Sequence, residues 1–199
     1  EYFLDLSVRM TYHSNAIEGN TLTLNETATI ILDGTITGSK SVREVFEVLN
    51  HKRAIDYMIS ELENDKKLDI YVIKSINKEI LDRLNDNAGN FKRNSNAIIG
   101  ANFETSTPSQ APILTKNWIE NLNYRLELCK NDDEKLLEIL NSHIEFERIH
   151  PFSDGNGRTG RLIMMYLCFQ EKIAPFVIEK EDRALYMSYL REQNVDIIF

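Results

Sequence analysis

Apolar residues recur at helical spacing along almost the whole of this 199-residue chain. Stripes of this kind are typical of helices that pack one face against a core. The predicted helices span residues 3–18, 23 to about 34, 42 to about 64, 69 to about 84, 115–130, 133 to 150, 158–171 and 181–193. The pattern therefore predicts an all-α fold, a single-domain helical bundle.

Local signals place the ends of these helices. Thr23–Glu26 and Ser41–Glu44 both have the form of a capping box, and Asp69 is a helix-capping residue. Pro151 restricts its predecessor to extended backbone, so the helix from residue 133 should end near His150. The positions expected to face the core include Val42, Phe46, Leu49, Ile55, Ile59 and Leu62 in the longest helix and Leu185, Tyr189 and Leu190 in the last.

Residues 85–112 interrupt the helical pattern. They are rich in Asn, Ser, Thr, Gly and Pro, and residues 96–100 form a short β-leaning patch. This composition favours a loop that carries a short β-hairpin. Structureless segments of this length are uncommon inside compact domains and are often functional.

Composition places the chain among ordinary globular proteins, with 42% hydrophobic and 27% charged residues. A formal net charge of −8 argues against general nucleic-acid binding, which needs a basic face. No apolar run approaches the ~20 residues of a membrane helix, and the first residues lack the basic region of a signal peptide. Cys129 and Cys168 lie among apolar neighbours and are expected to be buried free thiols in a reducing compartment. We expect a cytoplasmic enzyme or regulator with no membrane or nucleic-acid partner.

Chemistry is concentrated in residues 150–161, which read HPFSDGNGRTGR. Gly155-Asn156-Gly157 permits a tight loop with inward-facing backbone N–H groups, and a helix begins directly after it. Free amides and the positive dipole at a helix start bind phosphate. Arg158 and Arg161 lie three residues apart and share a helix face, which suggests a polyphosphate ligand.

Two further groups could act on such a ligand. Asp154 offers carboxylate oxygens to Mg²⁺, which usually takes one or two carboxylates plus substrate phosphates. His150 can take a proton from an attacking hydroxyl as a neutral base. Each residue alone has a plainer role, as a helix-end contact, a turn, or a solvated charge. The spacings direct all of these groups at one point, which favours a magnesium-nucleotide site.

The same segment resembles the signature of the Fic (filamentation induced by cAMP) family, H-x-F-x-(D/E)-G-N-G-R-x-x-R, at every defined position. The matching residues are His150, Phe152, Asp154, Gly155, Asn156, Gly157, Arg158 and Arg161. Upstream, His143, Phe146 and Ile149 resemble the helix that precedes the motif in this family. Residues 89–93 and 96–112 resemble the family's flap, a β-hairpin that holds the protein segment being modified.

The resemblance implies a protein adenylyltransferase, which transfers AMP from ATP to a Ser, Thr or Tyr hydroxyl of a protein and releases pyrophosphate. The protein modified can be the enzyme itself. Such a transfer needs mainly positioning, charge neutralisation and the removal of one proton. A kinase-like branch of the family departs from the motif at the glycines and the second arginine. Gly155, Gly157 and Arg161 therefore favour nucleotidyl transfer over phosphorylation.

By the same resemblance, each motif residue has an expected role. His150 is the general base and Asp154 the Mg²⁺ ligand. Phe152 anchors the loop in the core. The remaining residues bind the nucleotide, with the anion hole at the α- and β-phosphates formed by Gly155, Asn156 and Gly157, and the outer phosphates held by Arg158 and Arg161.

A second motif lies near the N-terminus. Ser14 and Glu18 are one helical turn apart, and Gly19 ends the helix. A solvated helix face is the plain interpretation. However, residues 14–20 resemble the (S/T)-x-x-x-E-(G/N) inhibitory motif of Fic proteins that carry their inhibitory helix at the N-terminus. The resemblance implies that Glu18 pairs with Arg161 and removes the guanidinium that the ATP γ-phosphate needs.

The resemblance also divides the chain into an inhibitory helix, residues 1–20, and a catalytic domain, residues 21–199 with its core at about 69–193, in one compact unit. Alternatives stay open. The enzyme could remove AMP, with Glu18 orienting a water, or transfer another nucleoside monophosphate, since the motif reads phosphates rather than bases. A nucleotide-sensing module without turnover is the non-enzyme alternative, although binding phosphate does not need a base such as His150. A homodimer fits the family resemblance, but no interface signature supports it.

Overall fold

The computed structural model describes residues 2–97 and 103–198. Within them lie eight α-helices: α1 Tyr2–Ile17, α2 Leu24–Asp33, α3 Val42–Glu63, α4 Ile70–Leu81, α5 Ala111–Leu128, α6 Asp132–Ile149, α7 Asn156–Gln170 and α8 Arg183–Glu192. Two 3-10 turns, Lys180–Asp182 and Val195–Ile197, flank α8. The all-α prediction is confirmed. None of the described helices is long and apolar enough to cross a membrane.

Helix α7 lies at the centre of the fold. Twelve of its 15 residues are buried, and it packs against α1, α3, α4 and α6. A helix surrounded in this way has no solvent-facing stripe, so its polar side chains must find partners inside the protein. The N-terminus of α7 therefore presents the motif residues to neighbouring helices as well as to any ligand.

Helix α1 belongs to the same core. Ten of its 16 residues are buried, and it packs against α2, α3 and α7. Leu6, Met10 and Ile17 join the main hydrophobic cluster that contains the apolar residues of α7. A smaller cluster links α2 to α3 through Leu22, Ile30, Val45 and Val48. The C-terminal end of α1 is thereby held beside the motif.

Two of the three predicted helix caps are confirmed. Thr23 and Glu26 form a complete capping box at α2. Asp69 accepts from the N–H groups of the second and third residues of α4, both at 2.9 Å. The capping box at Ser41 is wrong, because its side chain makes no cap hydrogen bond among the described residues. Glu44 accepts instead from the N–H and hydroxyl of Thr21, at 2.6 and 2.7 Å. Glu44 therefore makes a tertiary contact with Thr21 in place of the capping hydrogen bond at Ser41.

The segment between α4 and α5 contains no named strand in its described parts, 82–97 and 103–110. A single isolated bridge pairs Phe91 with Phe152. Residues 98–102, which include much of the predicted β-leaning patch, lie outside the described residues. The β-hairpin therefore stays a prediction.

Some predicted core positions are exposed. Val42 is 70% exposed, Leu185 47% and Leu49 38%. Val42 and Leu185 lie in the first turns of α3 and α8, where neighbouring elements do not yet cover the helix. Cys168 is a buried free thiol, and burial raises its pKa to about 12. Cys129 is also free but only partly buried, because it caps the end of α5.

Candidate active site

His150 ends α6 in the left-handed backbone region, with φ 49° and ψ 59°. The prediction of extended backbone is wrong. A following proline disfavours the right-handed helical region, and the left-handed region avoids that clash while the His150 N–H still donates to the Phe146 carbonyl oxygen at 2.9 Å. A non-glycine residue here costs roughly 1–3 kcal/mol, and such strain collects at functional sites.

The loop from α6 to α7 is anchored in the core. Phe152 is fully buried and stacks on Phe91, with 5.9 Å between ring centroids. The Asn156 amide spans the loop: its Oδ1 accepts from the Phe152 N–H at 2.9 Å, and its Nδ2 donates to the Phe152 carbonyl oxygen at 2.8 Å. The Asn156 side chain thus shapes the loop, and its backbone N–H in the first turn of α7 is left for a ligand.

Gly155 turns the chain into α7 with φ 72°. A Cβ at this position would be strained and would stand 3.2 Å from the Asn77 amide nitrogen. Asn77 is fully buried on α4, donates to the Asp154 carbonyl oxygen at 3.1 Å, and accepts from the Gly89 N–H at 3.0 Å. One amide therefore joins the motif loop to the start of the flap segment. In the sequence, the signal for Asn77 is a polar residue inside the apolar stripe of α4.

The loop opens on a cavity of about 580 Å³, a volume typical of small-ligand sites. Six residues of the predicted 150–161 motif line it: His150, Asp154, Gly155, Asn156, Gly157 and Arg161. Glu18 closes one side, and α8 supplies Tyr186, Met187 and Leu190. A base, several carboxylates, helix-start amides and the guanidiniums of Arg161, Arg183 and Arg191 thus face one space.

Arg161 is 2% exposed and is paired with the end of α1. Its Nη2 donates to Glu18 Oε1 at 2.7 Å and to the Ser14 carbonyl oxygen at 2.9 Å. Its Nε donates to Ser14 Oγ at 3.0 Å. Burial opposes the charge, but Tyr186 and Glu18 raise the pKa of Arg161 above its usual range. The guanidinium is therefore cationic and held by both residues of the second motif.

The Glu18 carboxylate also lies against Gly157, at the start of α7. A Cβ built on Gly157 would collide with Glu18 Oε1 and would stand 3.1 Å from Arg161 Nη1. Glycine at this position leaves room for an anionic group beside the loop. The Glu18 side chain is 39% exposed, so the solvent reaches it through the cavity.

Arg158 faces α3 rather than the cavity, which differs from the expectation that both arginines hold one anion. It is 4% exposed, and its guanidinium lies 3.7 Å from Glu47 and 3.8 Å from Asp154. Glu47 also accepts from the Asn20 amide at 2.9 Å. Arg158 and the turn after α1 therefore share one carboxylate of α3. No local pattern in the sequence points to Glu47.

Asp154 is the candidate metal ligand. Its Oδ1 accepts from the Gly155 N–H at 2.6 Å, and its side chain is 41% exposed. The described residues hold no group of three or more His, Cys, Asp or Glu that could bind a metal unaided. Mg²⁺ nevertheless often binds through a single exposed carboxylate when phosphates and water complete its coordination shell, and Asp154 lies beside helix-start amides that could bind phosphate.

The flap segment is tied to the backbone on both sides of His150. Lys92 is 3% exposed, and its ammonium donates to three oxygens: Asn96 Oδ1 at 2.7 Å, Thr105 Oγ1 at 3.3 Å and the Ile149 carbonyl at 3.4 Å. Asn96 in turn donates to the Phe152 carbonyl oxygen at 2.8 Å. Burial lowers the pKa of Lys92 to about 8, while three acceptors match the three N–H groups of an ammonium.

Comparison with known proteins gives a consistent assignment. The Fic/DOC family model matches residues 67–168. The protein adenylyltransferase Fic of Nematostella vectensis is 30% identical over 188 residues, which cover 92% of this chain and 42% of the relative. The protein of the same name from Aedes aegypti is 31% identical over 186 residues, covering 92% and 36%. The chain thus spans less than half the length of these curated relatives.

Solved structures share the fold. A Fic domain containing signalling protein from Bacteroides thetaiotaomicron superimposes with a TM-score of 0.86 at 25% identity, over 95% of this chain and 72% of that one. Fic-1 from C. elegans superimposes with a TM-score of 0.81 at 26% identity, over 98% and 57%. With its motif, fold and family match in agreement, this chain belongs to the Fic/DOC family.

Proposed function

We propose that this chain is the catalytic part of a protein adenylyltransferase that uses ATP. The observation that carries the proposal is that His150, the helix-start amides of α7 and Arg161 line one cavity. The curated relatives that are 30% and 31% identical to this chain are named protein adenylyltransferases. An intact base favours an enzyme over a nucleotide-sensing module, because phosphate binding alone needs no base.

In the proposed reaction, a side-chain hydroxyl oxygen of the protein substrate forms a bond to the α-phosphorus of ATP. The bond from that phosphorus to the bridging oxygen breaks, pyrophosphate leaves with the electron pair, and His150 takes the hydroxyl proton. Amides of the loop from Gly155 to Gly157 and the dipole of α7 stabilise the phosphate charge. The described parts of the flap segment lie beside His150 and would receive the protein substrate.

Asp154 would hold a Mg²⁺ ion, which neutralises phosphate charge when bound. The Gly155 N–H orients the carboxylate at 2.6 Å, and Arg158 lies behind it at 3.8 Å. We assign Arg158 mainly to this supporting position, because its guanidinium faces Asp154 and Glu47. Arg161 is the motif arginine that a nucleotide polyphosphate would meet in the cavity.

We further propose that α1 inhibits the enzyme in cis. Glu18 accepts the hydrogen bond of Arg161 Nη2 and lies against Gly157. An outer phosphate of ATP would need the same guanidinium and the same space beside Gly157. ATP bound beside Glu18 could not reach that guanidinium, and its α-phosphate would be out of line with the hydroxyl. The proposal predicts that freeing Arg161 restores transfer.

The test uses the Glu18→Gly chain in a cell lysate with Mg²⁺ and α-labelled ATP, CTP, GTP or UTP. We expect label on protein, strongest from ATP, and its loss when His150→Ala is added. Equal labelling with and without His150 would overturn the assignment of the base. Stronger labelling from CTP, GTP or UTP would show that this nucleotide, and not ATP, is the preferred substrate.

Removal of AMP is the second candidate, because Glu18 and His150 line the same cavity. In that reaction Glu18 would orient a water whose oxygen bonds to the phosphorus of the attached AMP. The bond from that phosphorus to the protein oxygen breaks, AMP leaves, and the protein oxygen recovers its proton. Labelled protein prepared with the Glu18→Gly chain would be incubated with the unmodified chain. Release of AMP by that chain and not by Glu18→Gly would support the second candidate, and stable label would exclude it.

A further inference from the structure

Glu147 lies one helical turn before His150 and is 4% exposed. Neither motif includes it, and the reaction above does not use it. Its Oε2 lies 3.7 Å from His150 Nδ1, and its backbone carbonyl oxygen lies 3.3 Å from the same nitrogen. Two acceptor oxygens on the side of Nδ1 favour the tautomer with the ring proton on that nitrogen. The other ring nitrogen, Nε2, is then the one with a free lone pair.

A buried polar chain approaches Glu147 from the opposite side. Arg161 has only donors, and its Nη1 lies 3.3 Å from the Tyr186 hydroxyl, so that oxygen accepts. The Tyr186 hydroxyl is then free to donate to His143 Nε2 at 2.8 Å. Burial lowers the pKa of His143 to about 4, so the ring is neutral. With Tyr186 donating to Nε2, the ring proton is on Nδ1.

His143 Nδ1 and Glu147 Oε1 face the same point inside the protein. A Cβ on Gly160 would stand 2.9 Å from the nitrogen and 2.8 Å from the oxygen. Both atoms are buried, and neither makes a hydrogen bond within the part of the chain that the structure describes. Glycine at 160 leaves space for the two groups beside α7. The Glu147 carboxylate therefore has His150 Nδ1 on one side and shares the space at Gly160 with His143 Nδ1 on the other.

The surroundings of Glu147 favour its ionised form. Burial alone would raise its pKa, but His150, His143 and Arg161 outweigh burial and lower it. Among the described residues, Tyr186 and Tyr189 of α8 also face this cluster, and burial raises the pKa of both, so both are neutral. A buried carboxylate kept ionised by cationic and N–H partners stabilises positive charge on a neighbouring imidazole.

We propose that Glu147 is a positioning residue for His150, which holds Nε2 toward the cavity and stabilises the imidazolium formed when Nε2 takes the substrate proton. The proposal rests on the proposed function for the identity of that proton. It assigns Glu147 the role that a buried carboxylate has behind the base of a Ser-His-Asp triad. The hydrogen bonds among Arg161, Tyr186 and His143 leave His143 Nδ1 facing the space that it shares with Glu147.

The test compares Glu147→Gln with its parent in the Glu18→Gly background. General-base catalysis contributes roughly 10²- to 10⁴-fold, and a poorly oriented base forfeits part of this. We expect kcat to fall on the order of tenfold or more, with little change in KM for ATP because the loop is untouched. The acid limb of the pH–rate profile should move to lower pH, since the imidazolium loses its counter-charge.

Two further variants separate positioning from structure. Glu147→Asp keeps the charge and should recover part of the rate and the pH profile of the parent. Glu145→Gln makes the same chemical change on α6, at a residue that contacts Arg125 at 2.8 Å, and should leave both unchanged. Unaltered kcat in Glu147→Gln, or a lower kcat with the acid limb in place, would overturn the proposal.

Nitrogen-15 NMR of the histidine rings gives a readout that needs no activity. We expect neutral His150 in the parent chain to carry its proton on Nδ1. A proton on Nε2 would overturn the proposal even if AMP transfer is observed. If the parent shows no AMP transfer but has the Nδ1 tautomer, the proposed function fails while the positioning of His150 by Glu147 stands.

Discussion

Removing the charge of Glu18 should activate AMP transfer by an amount that the structure bounds. The substitution removes one charge-assisted hydrogen bond, in which Arg161 Nη2 donates to Glu18 Oε1 at 2.7 Å. A hydrogen bond to a charged group contributes about 1.5–3 kcal/mol. The Glu18 side chain is 39% exposed, so solvent screening lowers the value to about 1–2 kcal/mol. Each 1.4 kcal/mol is a factor of ten, so the population with Arg161 available should rise roughly 5- to 30-fold.

Two substitutions divide this effect. Glu18→Gln keeps an acceptor oxygen and the side-chain volume but removes the charge, so it should lie near the fivefold end of the roughly 5- to 30-fold range. Glu18→Gly also clears the space against Gly157 and should lie at the upper end. The assay is the initial rate of transfer of α-labelled AMP at saturating ATP and Mg²⁺. Glu63→Gly is the matched control, because it places the same change at the exposed end of α3.

Equal rates for the unmodified chain and both Glu18 variants would refute the inhibitory role of the Glu18–Arg161 pair. An equal increase in Glu63→Gly would refute it as well, because the effect would then come from a general loosening of helix ends.

Three further outcomes follow from the same contacts. Ser14→Ala removes the acceptor of Arg161 Nε and should raise the transfer rate roughly twofold to tenfold, measured in the same assay. Gly155→Ala forces a side chain to φ 72° and should lower the unfolding free energy by about 1–2 kcal/mol in urea titrations. Burial lowers the pKa of His51 to about 3 and of His143 to about 4, both from 6.5. The unfolded chain then binds protons that the folded chain does not, so stability should fall as the pH drops from about 6.5 to about 4, as urea midpoints at pH 7 and pH 5 would show.

The sequence could predict those parts of the site that are local. The loop from His150 to Arg161 contains its own turn residues, helix start and charged groups within twelve positions, so its chemistry can be read without the fold. The apolar stripes of α3 and α4 likewise predict helices, because burial of one face depends on spacing along one segment. The pairing of Glu18 with Arg161 is not local, and only the family resemblance predicts it.

The features that the sequence could not predict depend on packing between distant segments. Arg158 turns to α3 because Glu47 lies there, and α3 reaches that position only through tertiary contacts. In the sequence, Asn77 only interrupts an apolar stripe. Its role depends on the fold, which brings Asp154 and Gly89 beside it. Pro151 disfavours right-handed helical backbone at His150. Whether His150 is then extended or left-handed depends on the packing around it, and the structure has it left-handed.

Glu147 is an intermediate case. Its spacing of three residues from His150 places the two on one helix face, which is a local signal. Its burial and its ionised state depend on His143 and Arg161, which come together only in the fold.

AMP transfer with His150 as the base is tested most directly by mapping AMP on peptides by mass spectrometry after incubation with ATP and Mg²⁺. The chain would carry Glu18→Gly, with His150 either intact or replaced by alanine, in the presence of lysate protein. We expect AMP on Ser, Thr or Tyr hydroxyls only when His150 is intact. AMP at equal levels in both samples, or phosphate in place of AMP, would contradict it.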